Sequence, residues 1–115
     1  MKTLFIAGRQ ALLAITLAFG ATPAHADDSG LPVMPDIAQA QCLGCHQVDR
    51  QRVGPAFTAV AKRYHEADQA DDHLVQAILQ GSRGRWGAIP MPAQSHISKQ
   101  EAAAIAQWLL SLPLD

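Results

Sequence analysis

Two cysteines and a histidine stand together at Cys42-Leu43-Gly44-Cys45-His46, and no other cysteine occurs in the 115 residues. Residues three apart on a helical turn share a face, so the two thiols lie side by side, as two thioether bonds to one porphyrin edge require. The histidine directly after the second cysteine is then carried to the iron and ligates it from one side. C-x-x-C-H is the attachment pattern of c-type haem. A bare C-x-x-C also serves thiol–disulfide exchange and zinc. The adjoining histidine favours haem. The alternatives are a zinc site of Cys42, Cys45, His46 and a further histidine, and a thiol oxidoreductase, for which the βαβ context is missing.

If His46 takes one axial position, the other is open or filled by Met91, Met34, His65, His73 or His96. Methionine is usually core filler, but Met91 sits in Ile89-Pro90-Met91-Pro92. Two prolines with fixed φ and no N–H stiffen the segment, so one flexible thioether is offered at a set depth. Met34 lies just before the attachment helix and is expected to pack or be exposed. The three histidines lie in polar surroundings and read as solvated or capping. His/Met ligation raises the reduction potential relative to His/His. With both axial positions filled, no substrate atom reaches iron without ligand loss, which favours electron transfer over oxygenase or peroxidase chemistry.

These residues have to be placed by a short chain. Lys2 and Arg9 precede the apolar run Ala11–Phe19, Gly20 and Pro23 break it, and Ala24-His25-Ala26 is a small-x-small pattern. That is a secretory signal peptide over residues 1–26, cleaved after Ala26; the run is shorter than the ~20 residues a membrane span needs. The leader holds two of the nine Lys/Arg and none of the ten Asp/Glu, so residues 27–115 carry a net charge of −3. A mildly acidic body argues against nucleic acid or anionic membrane as a partner. Export favours disulfides, yet an i, i+3 pair closes a tiny, strained loop, so export fits thioether attachment better. A single domain of this size is marginal without a metal, disulfides or a cofactor, and a haem would supply its apolar centre.

Four helices are expected. The first runs from about Pro35 or Asp36 to Cys45, with Ile37 and Ala40 on its apolar face, and delivers the attachment residues. After a loop over 47–56 with its turn at Gly54-Pro55, a second helix runs from about Ala56 to Tyr64, with Phe57, Val60, Ala61 and Tyr64 recurring at three and four. Asp71 or Asp72 caps a third, with Leu74, Val75, Ile78 and Leu79 as its stripe and Gly81 as its stop. Residues 81–97 form a long loop, a kind usually functional in a compact domain. Ser98 and Glu101 form a capping box for the last helix, with Ile97 placed as a staple to Ala102; Ile105, Trp108, Leu109 and Leu112 hold its face until Pro113. The fold class is all-α with long loops.

Together, CLGCH at 42–46, VGPAF at 53–57, GSRGRWG at 81–87, IPMP at 89–92 and AQWLLS at 106–111 resemble the class I c-type cytochromes, and among them the small periplasmic carriers of the c-551 type. The resemblance covers 35–112. It implies the class I cytochrome c fold around one haem c held by Cys42 and Cys45, with His46 and Met91 as the metal ligands. It implies that the Pro55 carbonyl accepts the second ring N–H of His46, that Trp86 points its indole N–H at a haem propionate, and that the first and last helices cross near Ile37 and Trp108. Ala77 falls where relatives can carry an arginine that reaches a propionate, and Gln94 where they use an asparagine amide near the methionine sulfur.

The resulting expectation is a periplasmic, monomeric carrier rather than an enzyme, cycling Fe(II) and Fe(III). Its partners would be periplasmic reductases or oxidases, cupredoxins or cytochrome complexes, with no stable membrane insertion after cleavage. Electrons would pass at an edge framed by Leu43, Val53, Pro55, Ile89, Pro90 and Pro92, the low-area contact typical of redox encounters. Arg50, Arg52, Arg83 and Arg85 would ring that edge and steer an acidic partner. The competing haem reading is a sensor or peroxidatic module with a labile sixth ligand.

Overall fold

A computed structural model describes residues 30–114; the expected leader, 1–26, lies outside the described residues. The chain forms α1 (Asp36–Gln41), α2 (Phe57–Tyr64), α3 (Ala70–Gln80) and α4 (Lys99–Leu110). Among the described residues there is no strand, only an isolated antiparallel bridge between Ser82 and Met91.

The last helix is the frame. Its capping box is complete: the Glu101 N–H donates to the Ser98 hydroxyl, and the Ser98 N–H donates to the Glu101 carboxylate at 2.7 Å. Two of the helix's orphan donors are thereby satisfied at its start. Ile97 and Ala102, the staple pair, are both buried. The helix packs chiefly on α3, and also touches α2 and α1. Ala102 and Ala106 are fully buried on α4, as are Ala61 on α2 and Ala38 on α1, and such small residues let helix backbones draw close.

The second helix follows its periodicity: Phe57, Val60, Ala61 and Tyr64 are its buried residues. On α3, Leu74, Val75 and Ile78 are buried and Leu79 partly so. Its start differs from expectation. Neither Asp71 nor Asp72 is the cap; Gln69 holds that position in a left-handed conformation, φ 56°, with no side-chain hydrogen bond. The helix begins two residues early because Ala70 reaches the core, which leaves both aspartates in the first turn, where they complement the helix dipole.

The first helix is shorter than its pattern. It ends at Gln41, and Cys42–Cys45 form a turn in which the Cys45 N–H reaches back three residues to the Cys42 carbonyl. Ala38, not Ala40, faces the core; Ala40 is exposed and Ile37 half-buried. The crossing with α4 therefore runs over an alanine. Trp108 is anchored elsewhere: its indole N–H donates to the Pro32 carbonyl at 3.0 Å, and its ring meets Phe57 edge-on at 5.2 Å.

Candidate functional site

The two loops and α2, α3 and α4 leave a cleft with about 1010 Å³ of empty space, part of it open to solvent. Cys42, Cys45, His46 and Met91 all line it, together with Pro55, Trp86 and apolar side chains from α2, α3 and α4. Residues as far apart in the chain as Cys42 and Leu109 thus meet across one site, and the lining is mainly hydrocarbon.

His46 follows the attachment turn, its N–H bonded to the Cys42 carbonyl at 2.9 Å. Its Nδ1–H donates to the Pro55 carbonyl at 2.8 Å, and its ring lies parallel to Phe57, 13° between planes and 5.1 Å between centroids. With Nδ1 engaged, Nε2 keeps its lone pair for another partner. Gly54 forms the wall behind the ring: a Cβ there would fall 2.4 Å from His46 Cε1. The Gly54 N–H also donates to the Cys45 carbonyl at 2.8 Å, and the Arg52 guanidinium donates to the Leu43 carbonyl at 3.1 Å. The 47–56 loop is thereby tied to the attachment turn by main chain.

Both thiols are free, Cys45 exposed and Cys42 half-buried; burial pushes the Cys42 thiol above its ordinary value. On the other side, Met91 is set by backbone. Its N–H donates to the Ser82 carbonyl at 2.9 Å and its carbonyl accepts from the Ser82 N–H at 3.0 Å. Gly81, at φ 79°, makes this possible: a Cβ there would lie 2.6 Å from the Met91 carbonyl oxygen. Gln94 donates its amide N–H to the Pro92 carbonyl at 3.0 Å. Met34 packs partly against the core.

The remaining side chains depart from the expected pattern in part. His96 Nε2–H donates to Gln41 Oε1 at 2.9 Å, and His65 is exposed at the end of α2. His73 is not simply solvated. It lies against Tyr64, 5.0 Å between ring centroids, and its Nε2 meets the Arg85 guanidinium. Burial first, then the charges of Arg85 and Arg63, hold its pKa below the ordinary imidazole value. Of the four loop arginines, Arg85 lines the cleft, Arg52 braces Leu43 and Arg50 pairs with Asp49 at 3.7 Å. Arg83 is exposed. Trp86 lies under Arg63, whose Cζ is 4.6 Å from the ring centroid. Val53 and Ile89 are 50% and 65% exposed at the cleft mouth, beside the exposed Pro90 and Pro92. Among the described residues no three of His, Cys, Asp and Glu converge as a zinc site would need.

The sequence pattern of the cytochrome c family matches residues 35–113. The chain belongs to the cytochrome c family. This cytochrome is 44% identical over 71 residues to cytochrome c-552 of Nitrosomonas europaea, covering 62% of this chain and 69% of that one. It is 42% identical to cytochrome c-551 of Pseudomonas denitrificans, covering 62% of this chain and 85% of that one. The crystal structure of wild-type Nitrosomonas europaea cytochrome c552 superposes with a TM-score of 0.66 at 42% identity, covering 68% of this chain and 98% of that one. The cytochrome is thus of the small class I, c-type kind with the class I fold, and its cofactor is one covalently attached haem c. The chain's residues fit that group: two free thiols, a histidine nitrogen left unengaged, a methionine held by backbone, and an apolar cleft between them. No helix among the described residues is long and apolar enough to cross a membrane.

Proposed function

We propose that this cytochrome is a periplasmic electron carrier whose haem is held by Cys42 and Cys45 and ligated by His46 and Met91. The haem, when bound, supplies a one-electron change of its iron between Fe(III) and Fe(II). Cys42 and Cys45 fasten it at the cleft mouth. His46 would hold the iron through its free Nε2, and its Nδ1–H bond to Pro55 fixes the ring and raises its basicity. Met91 would supply a thioether ligand, which favours the reduced state. Trp86 offers its indole N–H to a haem carboxylate. The apolar lining excludes water, and the exposed Val53 and Ile89 present a small, dry surface for brief contacts with redox partners. Those partners are periplasmic proteins (a reductase or oxidase, a cupredoxin or a cytochrome complex), reached after export by residues 1–26 and cleavage after Ala26.

The observation that supports this most is the convergence of Cys42, Cys45, His46 and Met91 on a single cleft from two segments far apart in the chain. Intact mass spectrometry of material exported from cells able to attach haem tests the seat. The expected product begins at Asp27 and carries the mass of one haem. Met91→Ala tests the axial pair. A carrier with a Met91 ligand drops sharply in reduction potential and begins to bind carbon monoxide. A sensor or peroxidatic module with an open site binds carbon monoxide before the substitution and changes little after it.

A further inference from the structure

Arg85 lines the cleft and Arg63 reaches its backbone from α2, and among the described residues neither is paired with a carboxylate. Arg63 donates to the Arg85 carbonyl oxygen and stacks on Trp86; Arg85 meets His73 Nε2. The sole ion pair among the described residues is Arg50 with Asp49, on another loop. Both guanidinium charges bear on His73, and among the described residues no carboxylate pairs with either, so an anion brought to this place would be attracted by both. The cleft shows which anion. Arg85 is the one Lys, Arg, Asp or Glu side chain in its lining, and Ala77, also in the lining, brings no charge. The haem carries two carboxylates into this otherwise apolar space, where an unpaired charge is costly.

We propose that Arg85, reinforced by Arg63 and oriented by His73, is the cation that holds a haem carboxylate in this chain, so that the protonation of His73 sets the reduction potential. This rests on the seating of the haem given under Proposed function. Neutral His73 accepts an N–H from Arg85 and so aims the guanidinium; protonated His73 has no lone pair to accept with. Protonation also adds positive charge beside the haem, which favours Fe(II) over Fe(III). The groups facing His73 are Tyr64 and Arg63 from α2 and Arg85 from the loop after α3, with Asp71 and Asp72 preceding it on its own helix. His73 is the one imidazole in this group, and histidine is the side chain suited to take up a proton near neutral pH.

The test uses the haem-loaded protein and follows the midpoint potential between about pH 5 and 8, the range in which histidines titrate, with the His73 ring titration read in parallel by NMR. In the wild type the potential rises as pH falls through the His73 titration. His73→Gln, which keeps a neutral acceptor, holds the potential flat over that range. Arg85→Gln lowers the neutral-pH potential and brings the carboxylate titration up into the accessible range, and Arg85→Lys restores part of both. An Arg85→Gln protein with wild-type absorption spectrum, melting curve and potential profile overturns the proposal. So does a His73→Gln protein that keeps the wild-type slope, or an Arg85→Gln protein altered only in the salt dependence of its reaction with partners. A wild type without covalent haem fails earlier, at the seat itself.

Discussion

Gly54 and His46 are packed so closely that the glycine's missing Cβ would sit 2.4 Å from Cε1, 2.7 Å from Nδ1 and 2.7 Å from Nε2 of the imidazole. The obstruction comes from one ring held on two sides, by the Pro55 carbonyl and by Phe57, so the histidine has no room to yield. Gly54→Ala therefore forces either the loop or the ring to move. The expected cost is about 1–3 kcal/mol of stability, the usual range for overpacking, together with a shift in reduction potential as the ring leaves its hydrogen bond. Denaturant titration and voltammetry on the haem-loaded variant read the two effects separately. Wild-type values in both refute the constraint.

Trp108 ties α4 to residue 32 and buttresses Phe57, which in turn lies on His46. Trp108→Phe removes the indole N–H and is expected to destabilise by about 1 kcal/mol or more, the worth of one hydrogen bond plus lost contact. Trp108→Ala is expected to cost about 3–5 kcal/mol. Both follow from chemical denaturation, and equal losses for the two variants contradict the edge-on packing.

The capping box predicts a pH signature. The backbone N–H of Ser98 and then its hydroxyl hold the Glu101 carboxyl below its ordinary value of 4.5. A lowered carboxyl contributes stability that is fully present above that ordinary value and is lost as pH falls through the lower, folded value. Glu101→Gln is thus less stable than wild type at neutral pH, and the gap closes in acid. Ser98→Ala costs about 1 kcal/mol at neutral pH. Melting curves across the acid range decide it; a gap that stays constant with pH removes the charge from the account.

The exposed arginines of the two loops give a test of steering. Arg83 and Arg50 stand outside the cleft, Arg50 in an exposed pair with Asp49. If they guide an acidic partner, association slows as ionic strength rises, and Arg50→Gln with Arg83→Gln flattens that dependence without moving the potential. Stopped-flow electron exchange at several salt concentrations is the measurement, and a flat wild-type profile refutes steering.

What could be read from the chain beforehand was local. The Ser98–Glu101 box, the Gly81 stop and the buried stripe of α2 depend on neighbours within one or two turns, so spacing alone carried them. Cys42, Cys45, His46 and Met91 could be singled out because the chemistry proposed for them requires particular residue types, and all four line the one cleft. What escaped was set by distant partners. The start of α3 moved to Gln69 because Ala70 is drawn into the core. The end of α1 moved to Gln41 because the attachment residues form a tighter turn than their i, i+3 spacing suggests. Gly54 read only as a turn signal, since its closeness to His46 exists in three dimensions alone. The Trp108 bond to Pro32 spans most of the chain, and the grouping of Arg63, His73 and Arg85 joins three elements that no periodicity relates.

The paired bonds between Ser82 and Met91 belong to the peptide groups, and none of them involves the thioether. The course of this strap is accordingly indifferent to which side chain residue 91 carries. A histidine, a lysine or an alanine placed there inherits the same anchorage, so the ligand proposed at this position could be exchanged or removed while the scaffold stays as it was. With Met91 as that ligand, evolution or a designer could retune one cytochrome across a span of potentials, or open it to small gases, by a single codon.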